Sequence, residues 1–510
     1  MKFYTRIKNK IIKHSGKLLR DTVLVVGARG ITYITGGLWG ILLARWLGVS
    51  FFGVYAYWFG ISSIFVTIAR FGFNTFLTRE LSANKEDAVI IFCKYIKTYI
   101  IALFFAVLSL LIFLFYTENE IVYLFLGITT ILIAAFENIS QTISSWLFSK
   151  RKAPKVSFVS VIKSFLTLFT GYILYKIGIN VLLLITIPLF FSITKTIIIV
   201  NYIFKDSKIN FKKILFSSLT REDIKLIWKK TWSFGLFNII SAIQVNSNVP
   251  ILKILGYTEH DFGILGAALR LKTVVALSSV AITQVILPKL ANDFAKSSKK
   301  MYNTFYKIFR PFYVINLMMC MLLIFFSDSI IKILFGQGYI ESIDYMMLFS
   351  LGMLGPIMTL LSASMVAINK QPFILKWSII SYSIIPIIKL LLIPISGKNV
   401  IGWIEGVAGW IGFWVMLIFF HFFIRKKIKL SDLTILVLLL VLNIILPYIM
   451  EINNISNYYV FPLLIMSIYI GIKSRFLDFN ILFPNLSNQS FLIRFQSIIT
   501  KPSNPGSTHG

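Results

Sequence analysis

Nine lysines and arginines interrupt the long apolar segments of this sequence. A cation that faces lipid near the bilayer centre costs about 2.5–3.5 kcal/mol, so such side chains must reach a polar boundary or face a cavity. Inside a membrane their chemistry suits anions, because an arginine fork matches phosphate oxygens and a lysine supplies a compact charge. The nine are Arg29, Arg70, Lys97, Lys163, Lys195, Arg270, Lys272, Lys376 and Lys389.

The depth of each cation within its apolar segment separates two groups. Lys97, Lys376 and Lys389 lie near segment ends, so we expect their side chains to snorkel to the interface. The other six lie deeper, where lining a cavity competes with ion pairing between helices. Those expected to hold a phosphate group are Arg29, Arg70, Arg270 and Lys272.

Uncharged polar residues occur at helical spacing in the apolar segments that contain residues 231–252 and 263–288. Amides and hydroxyls bind sugar hydroxyls well, so we predict that these side chains line a sugar-binding surface. Hydrogen bonding between helices is the alternative use of such a stripe. The candidates are Asn238, Ser241, Gln244, Asn248 and Gln284.

Two acidic residues, Glu137 and Glu405, stand out inside apolar segments. A carboxylate in a membrane either carries a coupling proton or sodium ion, or pairs with a cation. Lys163 and Lys195 are the candidate partners for Glu137.

The composition is typical of a membrane protein. Hydrophobic residues make up 57% of the 510 residues, charged residues only 14%, and the mean hydropathy is +0.81, whereas soluble chains carry roughly 25% charged residues. The net charge of +31 does not indicate nucleic-acid binding, because the basic residues stand between apolar runs. Two cysteines exclude a disulfide framework, and the sequence has no Walker-type phosphate loop, HExxH or CxxC motif.

Apolar segments of about 20 residues mark helices that cross a bilayer. On this criterion the sequence predicts an all-α polytopic membrane protein with about fourteen transmembrane helices. The predicted spans are 23–43, 54–76, 95–116, 121–148, 156–175, 181–203, 231–252, 263–288, 311–327, 343–368, 372–393, 401–424, 430–449 and 458–472.

The distribution of Lys and Arg between the loops predicts the orientation. With the N-terminus inside, the inner segments hold 37 of the 51 Lys and Arg, and the outer loops hold 5. A wrong number of spans would scramble this alternation, so the ratio favours fourteen spans with both termini on the cytoplasmic side.

A repeated pattern indicates two similar lobes. A Leu-Gly pair at 47–48 and a Phe-Gly pair at 52–53 follow span 1, and the same pairs recur at 255–256 and 262–263 after span 7. Six spans per repeat orient both copies alike, as in transporters that bind substrate between two parallel halves. The predicted parts are an N-terminal lobe (1–203), a cytoplasmic linker (204–230), a C-terminal lobe (231–424), two extra helices (425–475) and a cytoplasmic tail (476–510).

The residues around both copies resemble a known family. Residues 43–55, Leu-Ala-Arg-Trp-Leu-Gly-Val-Ser-Phe-Phe-Gly-Val-Tyr, and residues 79–82, Arg-Glu-Leu-Ser, resemble the opening of the polysaccharide-export branch of the MOP flippase superfamily. This branch includes the O-antigen (Wzx-type) flippases, and the resemblance extends over about residues 20–425. The later segments that fit the family are 255–263, 267–271, 286–288 and 334–339.

The resemblance implies a flippase of the bacterial inner membrane, not an enzyme. It would move undecaprenyl-pyrophosphate-linked oligosaccharide, an O-antigen or similar repeat unit, to the periplasmic leaflet by alternating access. Arg270 matches a family arginine that faces the central cavity in related lipid II flippases. No cofactor is implied beyond a H⁺ or Na⁺ gradient. The implied partners are the lipid-linked oligosaccharide, membrane lipids, a polysaccharide polymerase and a chain-length regulator, and no nucleic acid.

Three alternatives stay open from the sequence. The first is that the flippase carries lipid II. The second is that the protein exports small molecules, as multidrug members of the superfamily do. An exporter of cations should line its cavity with acids rather than lysines and arginines. An oligosaccharide polymerase usually carries a long outer loop, whereas the longest predicted outer loop here is 328–342.

Overall fold

The computed structural model of the protein describes residues 2–83, 88–150, 152–206, 219–425, 430–453, 459–474 and 476–477. It describes their side chains except in residues 2–23, 274–285 and a few single positions. Within these ranges the chain is helical almost throughout and contains no β-strand, which confirms the predicted all-α class.

Twenty α-helices, a 3₁₀ turn and a π-helical turn make up the described part of the chain. They are α1 (Lys2–Leu47), α2 (Val49–Arg70), α3 (Phe73–Ala83), α4 (Ala88–Thr117), α5 (Ile121–Ser149), α6 (Ala153–Lys176), α7 (Val181–Leu184), α8 (Thr186–Asp206), α9 (Arg221–Asn246), α10 (Asn248–Ile254), α11 (Glu259–Lys296), α12 (Ser298–Phe325), α13 (Ser327–Leu334), the 3₁₀ turn Gln337–Tyr339, α14 (Ser342–Leu351), α15 (Gly355–Ala367), α16 (Gln371–Ser396), α17 (Val400–Ile424), α18 (Leu430–Leu440), the π turn Val441–Ile445, α19 (Leu446–Ile452) and α20 (Val460–Lys473).

The helices agree with the predicted spans. Nine segments of the described chain are long and apolar enough to cross a bilayer: α2, α4, α5, α6, α7–α8, α12, α16, α17 and α18–α19. The five remaining predicted spans fall on α1, α9–α10, α11, α14–α15 and α20. The structure therefore supplies a helix, or two consecutive helices, for each of the fourteen.

Prolines interrupt three of these spans. A proline has no N–H for the carbonyl four residues earlier, and Pro250 stands four residues after Asn246, where α9 ends. In the same way, the backbone leaves regular helix near residue 352, four residues before Pro356, and widens to a π turn before Pro447. Span 2 also ends early, because Phe71 adopts a left-handed conformation with φ 39° directly after α2.

The chain forms two compact units. The first comprises Met1–Leu277, Lys332–Ser342 and Pro372–Ile401. The second comprises Ser278–Ile331, Ile343–Gln371 and Gly402–Gly510. The lobe boundaries given above remain a prediction, and every candidate site residue except Gln284 and Glu405 belongs to the first unit.

The first unit contains an aromatic core between α3, α4, α5 and α8. Phe73, Phe92 and Trp146 are buried there, and the rings of Phe92 and Trp146 lie 5.2 Å apart. Close packing of this kind holds helices together in lipid, where hydrophobic burial between helices gives little advantage. The core fixes α5, which carries Glu137 and the partner of Arg70 described below.

In the second unit α12 is bound to α18. The guanidinium of Arg310 donates from one nitrogen to both carboxylate oxygens of Asp432, at 2.9 Å each, and Tyr313 donates to the carbonyl of Leu436 at 2.9 Å. These contacts attach the first of the two extra C-terminal helices to a neighbour within its own unit.

A capping box begins α9. The Thr220 hydroxyl accepts from the backbone N–H of Asp223, and the Asp223 carboxylate accepts from the backbone N–H of Thr220, both at 3.1 Å. The same carboxylate accepts from Lys94 of α4 at 2.8 Å. The hydrogen bonds from Lys94 and Thr220 lower the pKa of Asp223 to about 2.

Replacing Asp223 with Ala should therefore fray the first turn of α9. We expect faster hydrogen exchange of the backbone amides of residues 221–225 in Asp223→Ala, while Glu222→Ala, a neighbouring acid outside the capping box, leaves them unchanged. Folding lowers the pKa of Asp223 below that of a free aspartate. Its contribution to the stability of α9 is therefore fully present above the pKa of a free aspartate and is lost as pH falls through about 2. The loss of hydrogen-exchange protection in Asp223→Ala, relative to Glu222→Ala, should therefore be the same at pH 8 and at pH 5. A difference that disappears by pH 5 would contradict this assignment.

Candidate functional site

Arg270 of α11 lies where α11 meets α1 and α2. Its guanidinium carbon is 5.0 Å from the ring centre of Phe59 and 6.0 Å from that of Tyr55, both on α2. A Cβ at Gly40 of α1 would lie 3.3 Å from Cδ and Nε of Arg270. A residue with a side chain at position 40 would press on the arginine, so Gly40 makes room for it.

The aromatic faces hold the Arg270 cation without neutralising it. A cation over an aromatic ring gains about 0.5–2 kcal/mol, but it keeps its full charge. Within the part of the chain that the structure describes, no carboxylate pairs with Arg270. The arrangement therefore offers a positioned guanidinium to an anion.

Arg70 is the last residue of α2, and its partner is an amide. Nη1 of Arg70 donates to Oε1 of Gln141 on α5 at 2.8 Å. A neutral acceptor orients the guanidinium and leaves its charge in place, while the carboxyl end of α2 favours a cation there. Arg70 is accordingly a second deep cation that no carboxylate neutralises among the described residues.

Arg29 and Lys272 complete the predicted phosphate set. Arg29 lies on an exposed face of α1. Lys272 is half-buried on α11, two residues beyond Arg270. No hydrogen bond or ring contact among the described residues joins Arg29, Arg70 and Arg270 to one another. Their common role in one phosphate site therefore stays a prediction.

Four of the five predicted sugar-binding residues lie on α9 and α10, and the fifth lies on α11. Asn238, Ser241 and Gln244 are half-buried on α9. Asn248 is buried on α10, beyond the break at Ser247, and its amide oxygen accepts from Lys389. The side chain of Gln284 on α11 lies outside the described residues.

The snorkelling prediction is wrong for Lys389. Its side chain is fully buried in α16, and Nζ donates to Oδ1 of Asn248 at 2.6 Å. An amide on the adjacent helix is within reach of the ammonium, so the side chain does not extend to the interface. Lys376, nearer the other end of α16, is exposed.

Glu137 lies at the centre of a three-charge cluster. Lys163 of α6 and Lys195 of α8 each place Nζ 2.8 Å from one of its two carboxylate oxygens. The hydroxyl of Ser192 also donates to Oε1 at 2.9 Å. The cluster carries one surplus positive charge, and it ties α5, α6 and α8 together.

A groove of about 140 Å³ opens beside this cluster between α6 and α8. Lys163 and Lys195 contribute to its wall, and the rest is mostly apolar, including Phe158 and Phe191. A coupling ion that bound Glu137 would have to displace a lysine, since an ammonium already contacts each oxygen. The second candidate, Glu405, is buried on α17 in the other compact unit.

The sequence did not predict the surroundings of Arg270. Tyr55 and Phe59 are four residues apart and so lie on one face of α2, but membrane helices contain many aromatic pairs that contact lipid. The available signal was a combination: an aromatic pair at this spacing, a glycine in α1, and a deep arginine in the second lobe.

Comparison with known proteins adds a family and a fold. Residues 18–293, more than half of the chain, match the model of a family described as polysaccharide biosynthesis protein. No curated protein sequence matches the chain.

Several solved structures are similar to this one. The lipid II flippase MurJ in an inward closed conformation has 18% identity and a TM-score of 0.65, over 91% of this chain and 99% of that chain. An inward-facing MATE multidrug transporter of the MOP superfamily has 14% identity and a TM-score of 0.61, over 78% and 96%. An outward-facing MATE transporter has 13% and 0.54, over 80% and 96%. At these identities the likeness shows the fold.

The Glu137 cluster predicts a specific stability pattern. Glu137→Ala leaves the buried ammonium of Lys195 and the half-buried one of Lys163 without a carboxylate, and breaking a buried pair costs about 3–5 kcal/mol. The combined Glu137→Leu, Lys163→Leu and Lys195→Leu variant removes all three charges and should regain most of that loss. Thermal unfolding in detergent measures both. The structural role of Glu137 would be contradicted if Glu137→Ala had the same melting temperature as the wild type. It would also be contradicted if the triple variant had a lower melting temperature than Glu137→Ala.

Proposed function

Because the chain belongs to the polysaccharide biosynthesis protein family and has the fold of the MOP-superfamily transporters, we propose that it is a flippase for a lipid-linked oligosaccharide. The cargo is an undecaprenyl-pyrophosphate-linked repeat unit of a surface polysaccharide, such as an O-antigen unit. The protein moves it from the cytoplasmic to the periplasmic leaflet of a bacterial inner membrane by alternating access.

The observation that carries this proposal is the environment of Arg270. A pyrophosphate cannot enter hydrocarbon without partners, because an ion in a low dielectric loses several kcal/mol of solvation. A guanidinium held by Phe59, Tyr55 and Gly40, with no carboxylate among the described residues, offers the fork that phosphate oxygens need. The free-energy cost of placing this cation in the membrane is met when the protein folds, so it does not weaken cargo binding.

The other predicted residues take roles around that contact. Arg29, Arg70 and Lys272 supply further positive charge for the pyrophosphate. The half-buried polar residues of α9, among them Asn238, contact sugar hydroxyls. A H⁺ or Na⁺ gradient drives the cycle, and a polysaccharide polymerase and a chain-length regulator receive the product.

Glu137 serves in this proposal as an internal counter-ion rather than as the coupling site. Both of its carboxylate oxygens are engaged by lysines at 2.8 Å. One carboxylate shared by two ammonium groups reduces their net charge to one, which lowers the cost of placing two cations at mid-depth in the first unit.

The competing cargoes differ in charge or in glycan. Unneutralised arginines oppose a cationic drug, because like charges repel strongly at low dielectric. Lipid II shares the pyrophosphate and therefore the same contact with Arg270, so the glycan distinguishes it. Complementation of a strain that lacks its lipid II flippase would assign that cargo instead.

Loss of the Arg270 fork should abolish transport. We expect Arg270→Ala to reduce long-chain surface polysaccharide at least tenfold, because the pyrophosphate loses its best-positioned contact. Arg270→Lys keeps the charge but loses the planar fork and its ring contacts, so its export should be intermediate. Gel analysis of surface polysaccharide measures export, and immunoblotting of membranes confirms insertion.

Arg221→Ala is the matched control, since Arg221 is an exposed arginine at the start of α9. It should export normally. Normal polymer from Arg270→Ala, at wild-type protein levels, would refute the assignment of Arg270 and with it the proposed phosphate contact.

A further inference from the structure

The repeated glycines that the sequence analysis singled out contact each other's helices. A Cβ at Gly53 of α2 would lie 1.9 Å from the carbonyl oxygen of Glu259 and 2.8 Å from the nitrogen of Gly263. A Cβ at Gly263 of α11 would lie 2.1 Å from the carbonyl oxygen of Val49. All three distances are shorter than a van der Waals contact, so the two backbones touch at these glycines.

The contact is symmetric between the two repeats. Gly53 meets the carbonyl of Glu259, four residues before Gly263, and Gly263 meets the carbonyl of Val49, four residues before Gly53. Equivalent positions of the two copies therefore exchange equivalent contacts. One turn further along α11, a Cβ at Gly266 would lie 3.1 Å from the Cβ of Ala56.

Other segments fasten the same end of the crossing. Lys398 contacts the carboxylates of Asp261 and Glu341. The hydroxyl of Tyr339 donates to the carbonyl of Ala44 at 2.7 Å. These residues lie in, or directly beside, four loops that the Lys and Arg distribution assigns to the outer side: 44–53, 253–262, 328–342 and 394–400.

The crossing stands directly beside the predicted phosphate contact. Gly263, Gly266 and Arg270 are spaced by three and four residues, so they follow one face of α11. One turn beyond Gly266 on that face, Arg270 contacts the rings of Tyr55 and Phe59 on α2. Separation of α2 from α11 at the glycines would uncover Arg270 from the predicted outer side.

We propose that the crossing of α2 and α11 at Gly53, Gly263 and Gly266 is the outer gate of the transporter, closed in this structure and fastened by the hydrogen bond from Tyr339 to Ala44. The inference rests on the proposed alternating-access flippase. Backbone contact between small residues suits a gate, because two smooth surfaces separate without extracting interlocked side chains. A single hydrogen bond contributes modestly to stability, so Tyr339 biases the gate toward the closed state without locking it.

A disulfide across the outer gate tests whether it must open. Ala56 and Gly266 suit a cysteine pair, because Cβ atoms joined by a disulfide lie about 3.5–4.5 Å apart and those at 56 and 266 would need to separate only slightly from 3.1 Å. The background carries Cys93→Ala and Cys320→Ala, and Ala56→Cys and Gly266→Cys alone are the matched controls. The assay is flipping of undecaprenyl-pyrophosphate-linked oligosaccharide in proteoliposomes, before oxidation, after copper phenanthroline and after reductant.

We expect the double variant to form the disulfide, to lose at least tenfold in flipping rate when oxidised, and to recover on reduction, while both single variants are insensitive to oxidant. Failure to cross-link would overturn the crossing geometry. A cross-linked protein that still flips would show that the crossing stays closed during transport, and it would overturn the gate. If the reduced protein and the wild type both fail to flip this lipid, the proposed cargo fails instead.

A labelling experiment tests the gate without any cargo. Ala56→Cys reports exposure at the crossing to a membrane-impermeant maleimide added from the outer side. Gly53→Ala places a methyl against the Glu259 carbonyl, and Tyr339→Phe removes the hydroxyl that donates to Ala44, so each should raise the labelling rate at least threefold. Gly27→Ala and Gly36→Ala are matched controls, because a Cβ at either position meets no atom within 4 Å. Equal labelling in all variants would overturn the proposal.

Discussion

The cost of a positive charge inside hydrocarbon is the constraint on which this structure depends. The protein meets it in three ways. Lys163 and Lys195 share a carboxylate, Lys389 is bonded to an amide, and Arg270 lies against two aromatic rings and a glycine. The last solution, like the contact of Arg70 with Gln141, leaves a guanidinium that is held in place and not neutralised by an acid within the described chain. In the proposed function, Lys163 and Lys195 serve the structure, whereas the arginines without a carboxylate bind the cargo.

Glycines make room for these large charged side chains and allow helices to pack closely. Helices in lipid gain little from hydrophobic burial and depend on close packing. Gly40 makes room for Arg270, and Gly53 and Gly263 bring α2 and α11 into backbone contact. The same residue type therefore positions the cation and closes the crossing beside it. Both uses follow from the absence of a side chain rather than from any chemistry of the residue.

The sequence predicted the spans well because crossing a bilayer imposes an average property on about 20 consecutive residues. It did not predict the breaks at Ser247 and Phe71, since these depend on single residues and on packing. It was wrong for Lys389, because depth was judged along one helix and the partner, Asn248, lies on another. For Glu137 the two suggested partners are both present, whereas Tyr55 and Phe59 gave no separate signal among so many aromatic residues.

The central claim is that cations left without carboxylates exist to hold a pyrophosphate. Binding of undecaprenyl pyrophosphate and of uncharged undecaprenol to the purified protein, compared by native mass spectrometry, tests it most directly because the two lipids share the same tail. We expect the pyrophosphate lipid to bind at least tenfold more tightly than undecaprenol, and Arg270→Ala to remove most of that preference. Equal binding of the two lipids to the wild type would contradict it.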